Sequence, residues 1–315
     1  MRQGGVVAFP TETVYGLGAR VFDADAVARV FAVKGRPFDN PLIVHVKDQA
    51  QLQLLSPEVP ALATDLIRTF WPGPLTLVLK RLDTVPAIVS AGLSTIAVRM
   101  PNHPIALGLI RELNEPIAAP SANQSGRPSP TSARYVQEEL GNTVDLILDG
   151  GPCEVGLEST VLDMTSSPPR ILRPGAITAE GLWSVIGEVI PYSEGIQSVS
   201  SPGQKQAHYA PALKMVLVEP NEWQDVLKEA TRLGKRLGTM SVLTASTRAV
   251  IPQGAGAHYG RVMSDLSDYA KSLFVAFYEA EAAGVELLFV ERVKKEGLGI
   301  AIMDRLERAA AATDL

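Results

Sequence analysis

The chain has 315 residues, 46% of them apolar, and a net charge of −5. That is enough for two domains with packed cores, which excludes a disordered chain; the acidic balance excludes a basic body that holds nucleic acid by phosphate neutralisation alone. No apolar run approaches the ~20 residues that cross a bilayer, and the start MRQGGVVAFPTET lacks the long apolar stretch of a signal peptide. The one cysteine, Cys153, excludes an internal disulfide and fits a reducing, cytoplasmic compartment.

VVAFP (6–10) reads as a buried strand followed by the polar turn TETVYG (11–16). DADAVARVFAVKG (23–35) reads as a helix: Asp23 or Asp25 can cap its start, Val27, Val30 and Phe31 give an apolar face, and Gly35 can end it. Strands are expected at LIVHV (42–46), LTLVLK (75–80), TIAVRM (95–100), PIAAP (116–120), DLILDG (145–150), STVLDM (159–164) and PRILRPG (169–175). Helices are expected over 60–71, 103–113, 131–140 and 177–187. Strands and helices alternate without strict βαβ regularity, which points to a twisted mixed α/β sheet with flanking helices.

Residues 192–212 are rich in Ser, Gly, Pro and Gln and read as an interdomain linker. A second α/β unit follows, with strands at 214–220, 238–244 and 285–291 and helices at 221–234, 264–284 and 299–312. GAGAHYG (254–260) misses the dinucleotide fingerprint in its spacing and reads as a loop. RQGG at the start looks like the tail of a helix with Gly at C′, so the chain reads either as a plain N-terminal segment or as one that begins a helix late.

Four polar stretches sit at strand ends or in tight loops, where α/β sheets bind ligands. Thr11-Glu12-Thr13 can hold a small polar ligand or form a hydrogen-bonded turn. In KGRPFDNP (34–41), Lys34 is a point cation and Arg36 a planar fork; both suit phosphate or carboxylate, although a helix C-terminus also favours cations. PSANQSGRPSPT (120–131) offers hydroxyls and amides between a strand and a helix start, a cradle for phosphate oxygens. Glu158-Ser159-Thr160 opens a strand, and Arg173 and Arg99 each lie in an otherwise apolar strand, where a guanidinium needs a ligand or a buried carboxylate. There is no GxxxxGK[ST] loop, no HExxH or CxxC, and no GxSxG elbow. His45 ends an apolar strand and reads as a satisfied core residue unless a ligand claims it.

TETVYGLG, KGRPFDNPLIVH, STIAVRMP, PIAAPSANQSGRPSPT, LESTVLD and ILRPG, in this order and spacing, closely resemble the YrdC-like family. With SPGQKQAHYAP and a small second domain behind them, the chain is similar over nearly its whole length to that family's long, two-domain threonylcarbamoyl-adenylate synthases. The helix absent before RQGG is the one departure. The resemblance implies a YrdC-like catalytic domain over 1–194, a linker or lid over 195–212, and a small Rossmann-like α/β domain over 213–315.

It implies a nucleotidyltransferase that joins L-threonine, bicarbonate or CO2, and ATP into threonylcarbamoyl-AMP and pyrophosphate. A separate transferase complex then uses the product to modify tRNA. Carried over by motif, Thr13, His45, Arg99, Ser159 and the backbone of Ala119 would hold threonine. Arg36, Asn40, Thr95, Ser121, Ser129, Arg173 and Tyr209 would hold ATP, with Lys34 near its phosphates; Lys34 and Arg36 are the expected catalytic cations. Mg²⁺ is expected on the phosphates, with no dedicated protein site and no stable nucleic-acid or membrane binding. Two other readings have their own signatures. A non-catalytic RNA-binding module needs a cationic surface against the acidic balance, and a hydrogenase-maturation relative needs a Cys-rich segment that this chain lacks.

Overall fold

The apolar alternation of the first part becomes a mixed sheet flanked by helices in a computed structural model that describes residues 1–193, 209–232, 236–242 and 257–313. In chain order its elements are β1 (Val7–Phe9), β2 (Gly16–Arg20), α1 (Ala24–Lys34), β3 (Ile43–His45), α2 (Gln49–Leu52), α3 (Ala61–Phe70), β4 (Leu75–Lys80) and β5 (Thr95–Arg99). Then come α4 (Pro104–Leu113), β6 (Ile117–Ala118), α5 (Ala133–Leu140), β7 (Leu146–Ile147), β8 (Thr160–Asp163), β9 (Arg170–Arg173) and α6 (Ala179–Ile186). The strand order is β7-β1-β2-β6-β3-β5-β4-β8-β9, with parallel and antiparallel neighbours interleaved.

Local chemistry accounts for the elements. α1 starts at Asp23, whose carboxylate accepts from the Ala26 amide at 3.0 Å, and ends at Gly35 in the left-handed region at φ 60°. It buries Val27, Val30 and Phe31 and carries Lys34 on the same inner side. β2 has the sequence GLGAR, with no β-branched residue to mark it as a strand, and no element is expected there after the turn. Gly18 is needed there, because a Cβ would meet Ile117 Cγ2 at 2.5 Å and Phe9 Cε1 at 2.7 Å.

Side chains alternate across a strand, and in this sheet the two faces differ. One is covered by helices and joins the large core through Val44, Leu77, Ile96, Val98 and Leu162. The other carries a small separate cluster, Ile43, Val78, Ala97, Val161 and Leu172. Parity puts Thr95 and Arg99 on that second face beside Ala97, His45 beside Ile43, and Thr76 beside Val78. β3 and β5 are parallel, with His45 paired to Arg99. The sequence reading looked for the site at strand ends; this face, with a small apolar floor, is where the polar residues of three strands gather.

The second part holds β10 (Lys214–Val218), α7 (Trp223–Arg232), β11 (Leu237–Val242), β12 (Ala257–Met263), α8 (Leu266–Ala282), β13 (Leu287–Glu291) and α9 (Leu298–Thr313). Its strands form a parallel sheet in the order β10-β13-β11-β12. β12 corrects the loop expected through residue 260: AHYGRVM pairs along β11 despite its glycine and histidine. The chain divides into one unit of Met1–Ser125 with Ser129–Lys205 and another of Gly126–Pro128 with Gln206–Leu315. Of the expected linker, residues 195–208 lie outside the described residues.

Candidate active site

Around Arg99 the polar groups are tied together. Its Nη2 lies 2.6 Å from Glu12 Oε1, its Nη1 donates to Thr13 Oγ1 at 2.8 Å, and its Nε donates to the Gly73 carbonyl at 3.2 Å. Glu12 Oε2 accepts from the Asn102 amide at 3.0 Å, and both partners of the ion pair are 4% exposed. The buried carboxylate that the sequence left as an alternative partner for Arg99 is therefore Glu12. Thr11 donates its hydroxyl to the Val14 carbonyl at 2.7 Å, so the 2.8 Å contact between the Thr11 and Thr13 hydroxyls has Thr13 as donor. This fixes the rotor of Thr13 and turns its remaining acceptor capacity to Arg99.

His45 lies next to Arg99 in register and edge-on to Phe9, with ring centroids 5.9 Å apart. It is buried, and its Nδ1 has no hydrogen-bond partner. Burial, then the charge of Arg99, pushes its pKa down to about 3, so the ring is neutral at physiological pH. An orphaned buried ring nitrogen is costly unless a ligand meets it. An unfolded chain protonates this histidine below its ordinary pKa of 6.5, while the folded chain refuses the proton down to about 3. The stability His45 contributes is thus complete above 6.5 and lost as pH falls toward about 3, by up to about 1.4 kcal/mol per pH unit. His45→Gln should flatten that slope in denaturant titrations between about pH 4 and 6; an unaltered slope contradicts the assignment.

Next to this group, Ser159 shares a 2.7 Å contact with Thr76, hydroxyl to hydroxyl. Arg173 donates to the Ser159 carbonyl through Nε at 3.0 Å and Nη2 at 2.9 Å, and to its hydroxyl at 3.1 Å. Arg36, also buried, donates from Nε to the Asn40 carbonyl at 3.1 Å and from Nη2 to the Pro41 carbonyl at 2.9 Å, so its guanidinium is oriented by its own loop. Lys34 donates from Nζ to the Ser121 carbonyl at 2.6 Å, to the Asn123 carbonyl, and to Asn123 Oδ1 at 3.4 Å. Its ammonium therefore binds the 120–131 loop. Burial, then the charge of Arg36, pushes its pKa well below the ordinary lysine value, opposed by Glu139 and Glu158. Ser129 donates to Glu158 Oε1 at 2.5 Å, in full burial.

Thr13, His45, Arg99 and Ser159 are thus brought to one end of the sheet face, joined through Thr76 and continued by Arg173. Thr95 stands at the other end of β5, about 13 Å from Arg99 along the strand. The Ala119 amide is committed to the Ile43 carbonyl at 2.9 Å, so any backbone role in binding falls to its carbonyl. Tyr209, at φ 68°, is buried in the second unit, its ring 5.5 Å from that of Phe274 and 5.5 Å from the Arg305 guanidinium. Glu12 and Glu158 stand in two of the polar stretches without an assigned role; a carboxylate next to two hydroxyl residues, in TET and EST, is the signal that marks both. Cys153 is buried, and its thiol is pushed up to about 12 by burial, then by Glu12, which leaves it inert.

A sheet face with oriented guanidinium groups, an unpartnered imidazole nitrogen and a hydroxyl-rich loop gives this α/β protein chemistry suited to small, anionic, hydroxyl-bearing ligands. The chain belongs to the Sua5/YciO/YrdC family: the family model described as telomere recombination matches residues 1–175. The model described as threonylcarbamoyl-AMP synthase, C-terminal domain, matches residues 177–311. A threonylcarbamoyl-AMP synthase of Pyrococcus abyssi is 42% identical over 98% of this chain and 92% of its own length. One from Bacillus subtilis is 43% identical over 98% of this chain and 90% of its own. The crystal structure of P. abyssi Sua5 complexed with L-threonine superposes with a TM-score of 0.91 at 41% identity, covering 99% of this chain and 92% of that one. Among the described residues, no helix is long and apolar enough to cross a membrane.

Proposed function

We propose that this chain joins L-threonine, CO2 or bicarbonate, and ATP into threonylcarbamoyl-AMP and pyrophosphate, and that the product passes to a separate transferase complex that modifies tRNA. The observation that carries this reading is the convergence of Thr13, His45, Arg99 and Ser159 on one end of the sheet face, with His45 Nδ1 left without a partner. A threonine hydroxyl satisfies that nitrogen, and Arg99 suits the amino-acid carboxylate. Family membership, and a relative bound to L-threonine, support the same assignment.

In the reaction, the threonine amine adds to CO2 and releases a proton, giving an N-carboxylate. A carboxylate oxygen then bonds to the α-phosphorus of ATP as the bond to the β-phosphate bridging oxygen breaks, and pyrophosphate leaves. Two anions must meet, so the protein's task is fixed positive charge and positioning rather than covalent chemistry. Arg36 and Arg173 are held by carbonyls of their own surroundings and meet the phosphates without reorganising. Asn40, Thr95, Ser121 and Ser129 line the path of the nucleotide, and Lys34 acts on the phosphates chiefly by charge while it holds the loop.

Among the described residues no group of three or more His, Cys, Asp or Glu can hold a metal ion. A Mg²⁺ carried in on the phosphates would need no dedicated protein ligand set, because it commonly binds through substrate phosphates and water. When bound, that ion spreads the triphosphate charge.

The test is pyrophosphate release by the purified chain with ATP, Mg²⁺ and labelled bicarbonate. Release and label capture that both require threonine support the reading; release without threonine sinks it. Valine and 2-aminobutyrate, which lack the hydroxyl, should react about 10³–10⁴-fold less efficiently in kcat/KM, and equal turnover would refute the pairing at His45. For Tyr209, Tyr209→Phe keeps the ring that packs on Phe274 and Arg305. A several-fold rise in the ATP dissociation constant is expected if its hydroxyl reaches the nucleotide, and none if it does not.

A further inference from the structure

Two hydroxyl pairs in the first unit each take a hydrogen bond from a guanidinium, and a count of their protons sets them apart. In the first pair, Thr11 donates to the Val14 carbonyl at 2.7 Å, Thr13 donates to Thr11 at 2.8 Å, and Arg99 Nη1 donates to Thr13 Oγ1 at 2.8 Å. Both protons are placed, so Thr13 meets a ligand only as an acceptor. In the second pair, the Thr76 and Ser159 hydroxyls lie 2.7 Å apart, and Arg173 Nη2 donates to Ser159 Oγ at 3.1 Å. One proton of this pair makes the mutual bond. The other has no acceptor among the described residues, although both side chains are fully buried. A buried donor without an acceptor is costly, and a ligand oxygen relieves that cost.

Ser159 is held in all but its rotor. Arg173 grips its carbonyl through Nε at 3.0 Å and Nη2 at 2.9 Å, and the next amide, of Thr160, donates to the Pro74 carbonyl at 3.0 Å. Gly175 lies against the same stretch of backbone, where a Cβ would meet the Glu158 carbonyl oxygen and the Ser159 carbonyl carbon, each at 2.7 Å. The rotor is set by Thr76, whose hydroxyl has no other partner among the described residues. The Arg173 N–H on Ser159 Oγ draws charge from that oxygen and strengthens its O–H as a donor. The leftover proton therefore belongs to Ser159, with Thr76 donating to it.

We propose that Thr76 is a positioning residue that fixes the Ser159 hydroxyl as a donor to the N-carboxylate of threonine. The inference rests on the reading that this chain makes that N-carboxylate. When the threonine amine bonds to the carbon of CO2 and gives up a proton to solvent, a carboxylate with two oxygens appears. One oxygen attacks the α-phosphorus, and the other needs a donor that holds the group still. Ser159 adjoins Arg173, assigned to the nucleotide, and shares its end of the sheet face with Thr13 and Arg99, assigned to the amino acid. A neutral hydroxyl suits this task, because it orients the carboxylate without neutralising the nucleophile as a directly paired cation does.

The experiment uses the full chain. Pyrophosphate release is followed against bicarbonate in CO2-depleted buffer at saturating threonine and ATP, and calorimetry gives the threonine affinity without bicarbonate. Thr76→Val keeps the β-branched shape of the strand residue and drops the hydroxyl. It should lower kcat/KM for bicarbonate about tenfold, with threonine affinity within about twofold and a melting point close to the parent's. Thr76→Ser, which returns the hydroxyl, should come within about threefold of the parent. Ser159→Ala removes the donor itself and should lower the same parameter about 10²-fold.

An unchanged bicarbonate dependence in Thr76→Val overturns the positioning role. A loss in Thr76→Val as large as in Ser159→Ala puts the donor on Thr76 and overturns it as well. So does a threonine affinity that falls in step with the use of bicarbonate, since the donor then serves the amino acid itself. If the parent chain releases no pyrophosphate on addition of threonine, the proposed function falls and takes this inference with it; a parent that turns over beside an indifferent Thr76→Val sinks this inference alone.

Discussion

Arg99→Met should destabilise the first unit by about 3–5 kcal/mol, because it leaves the Glu12 carboxylate buried without its counter-charge. Glu12 keeps only the Asn102 amide in that variant, and the second oxygen, now 2.6 Å from Arg99 Nη2, has nothing to replace it. The double variant Glu12→Gln, Arg99→Met should recover much of the loss, because a neutral amide in an apolar setting costs less than a lone charge. Denaturant unfolding of the four proteins in a double-mutant cycle reads this as strong non-additivity. Threonine binding separates structure from function: both variants that lack Arg99 should bind threonine poorly, including the restabilised one. Strict additivity would mean that the pair is not the unit its geometry describes.

Arg173→Ala should lower kcat/KM for ATP by about 10²–10³, the usual effect of removing one preorganised donor to a developing charge. Its guanidinium is aimed by three contacts to Ser159, so the loss extends beyond charge to the placement of the Ser159 hydroxyl. Arg173→Lys should therefore rescue poorly, because an ammonium cannot reproduce a fork held at one carbonyl through two nitrogens. A full rescue by lysine in steady-state assays would show that only charge matters at this position.

Much of the architecture could be read from the chain because its cues are local. The Asp23 cap, the Val27, Val30 and Phe31 stripe and Gly35 define α1 without any tertiary information. Elements without such cues escaped. β2 is glycine- and alanine-rich, and its pairing depends on the close approach of Ile117 and Phe9 to Gly18. β12 follows a glycine-rich stretch and is a strand because β11 offers it a parallel edge.

The candidate site residues stand out in the sequence as motifs, but their grouping does not. Loops and strand ends drew attention, whereas alternation along β3, β4 and β5 puts His45, Thr76 and Arg99 on a face. The partners of those residues come from far away in sequence, as Glu12 does for Arg99 and Ser159 for Thr76. Single-sequence reasoning can ask for a counter-charge and cannot choose it.

The central claim is that one face of the first sheet brings an amino acid and a nucleoside triphosphate together under fixed positive charge. A crystal structure of the chain with L-threonine and a non-hydrolysable ATP analogue tests it directly. The account predicts the threonine hydroxyl within hydrogen-bond reach of His45 Nδ1, the amino-acid carboxylate at Arg99, and the phosphates between Arg36 and Arg173. Both ligands seated away from the face that carries Thr95, Ala97 and Arg99, with His45 Nδ1 still unpartnered, would contradict it.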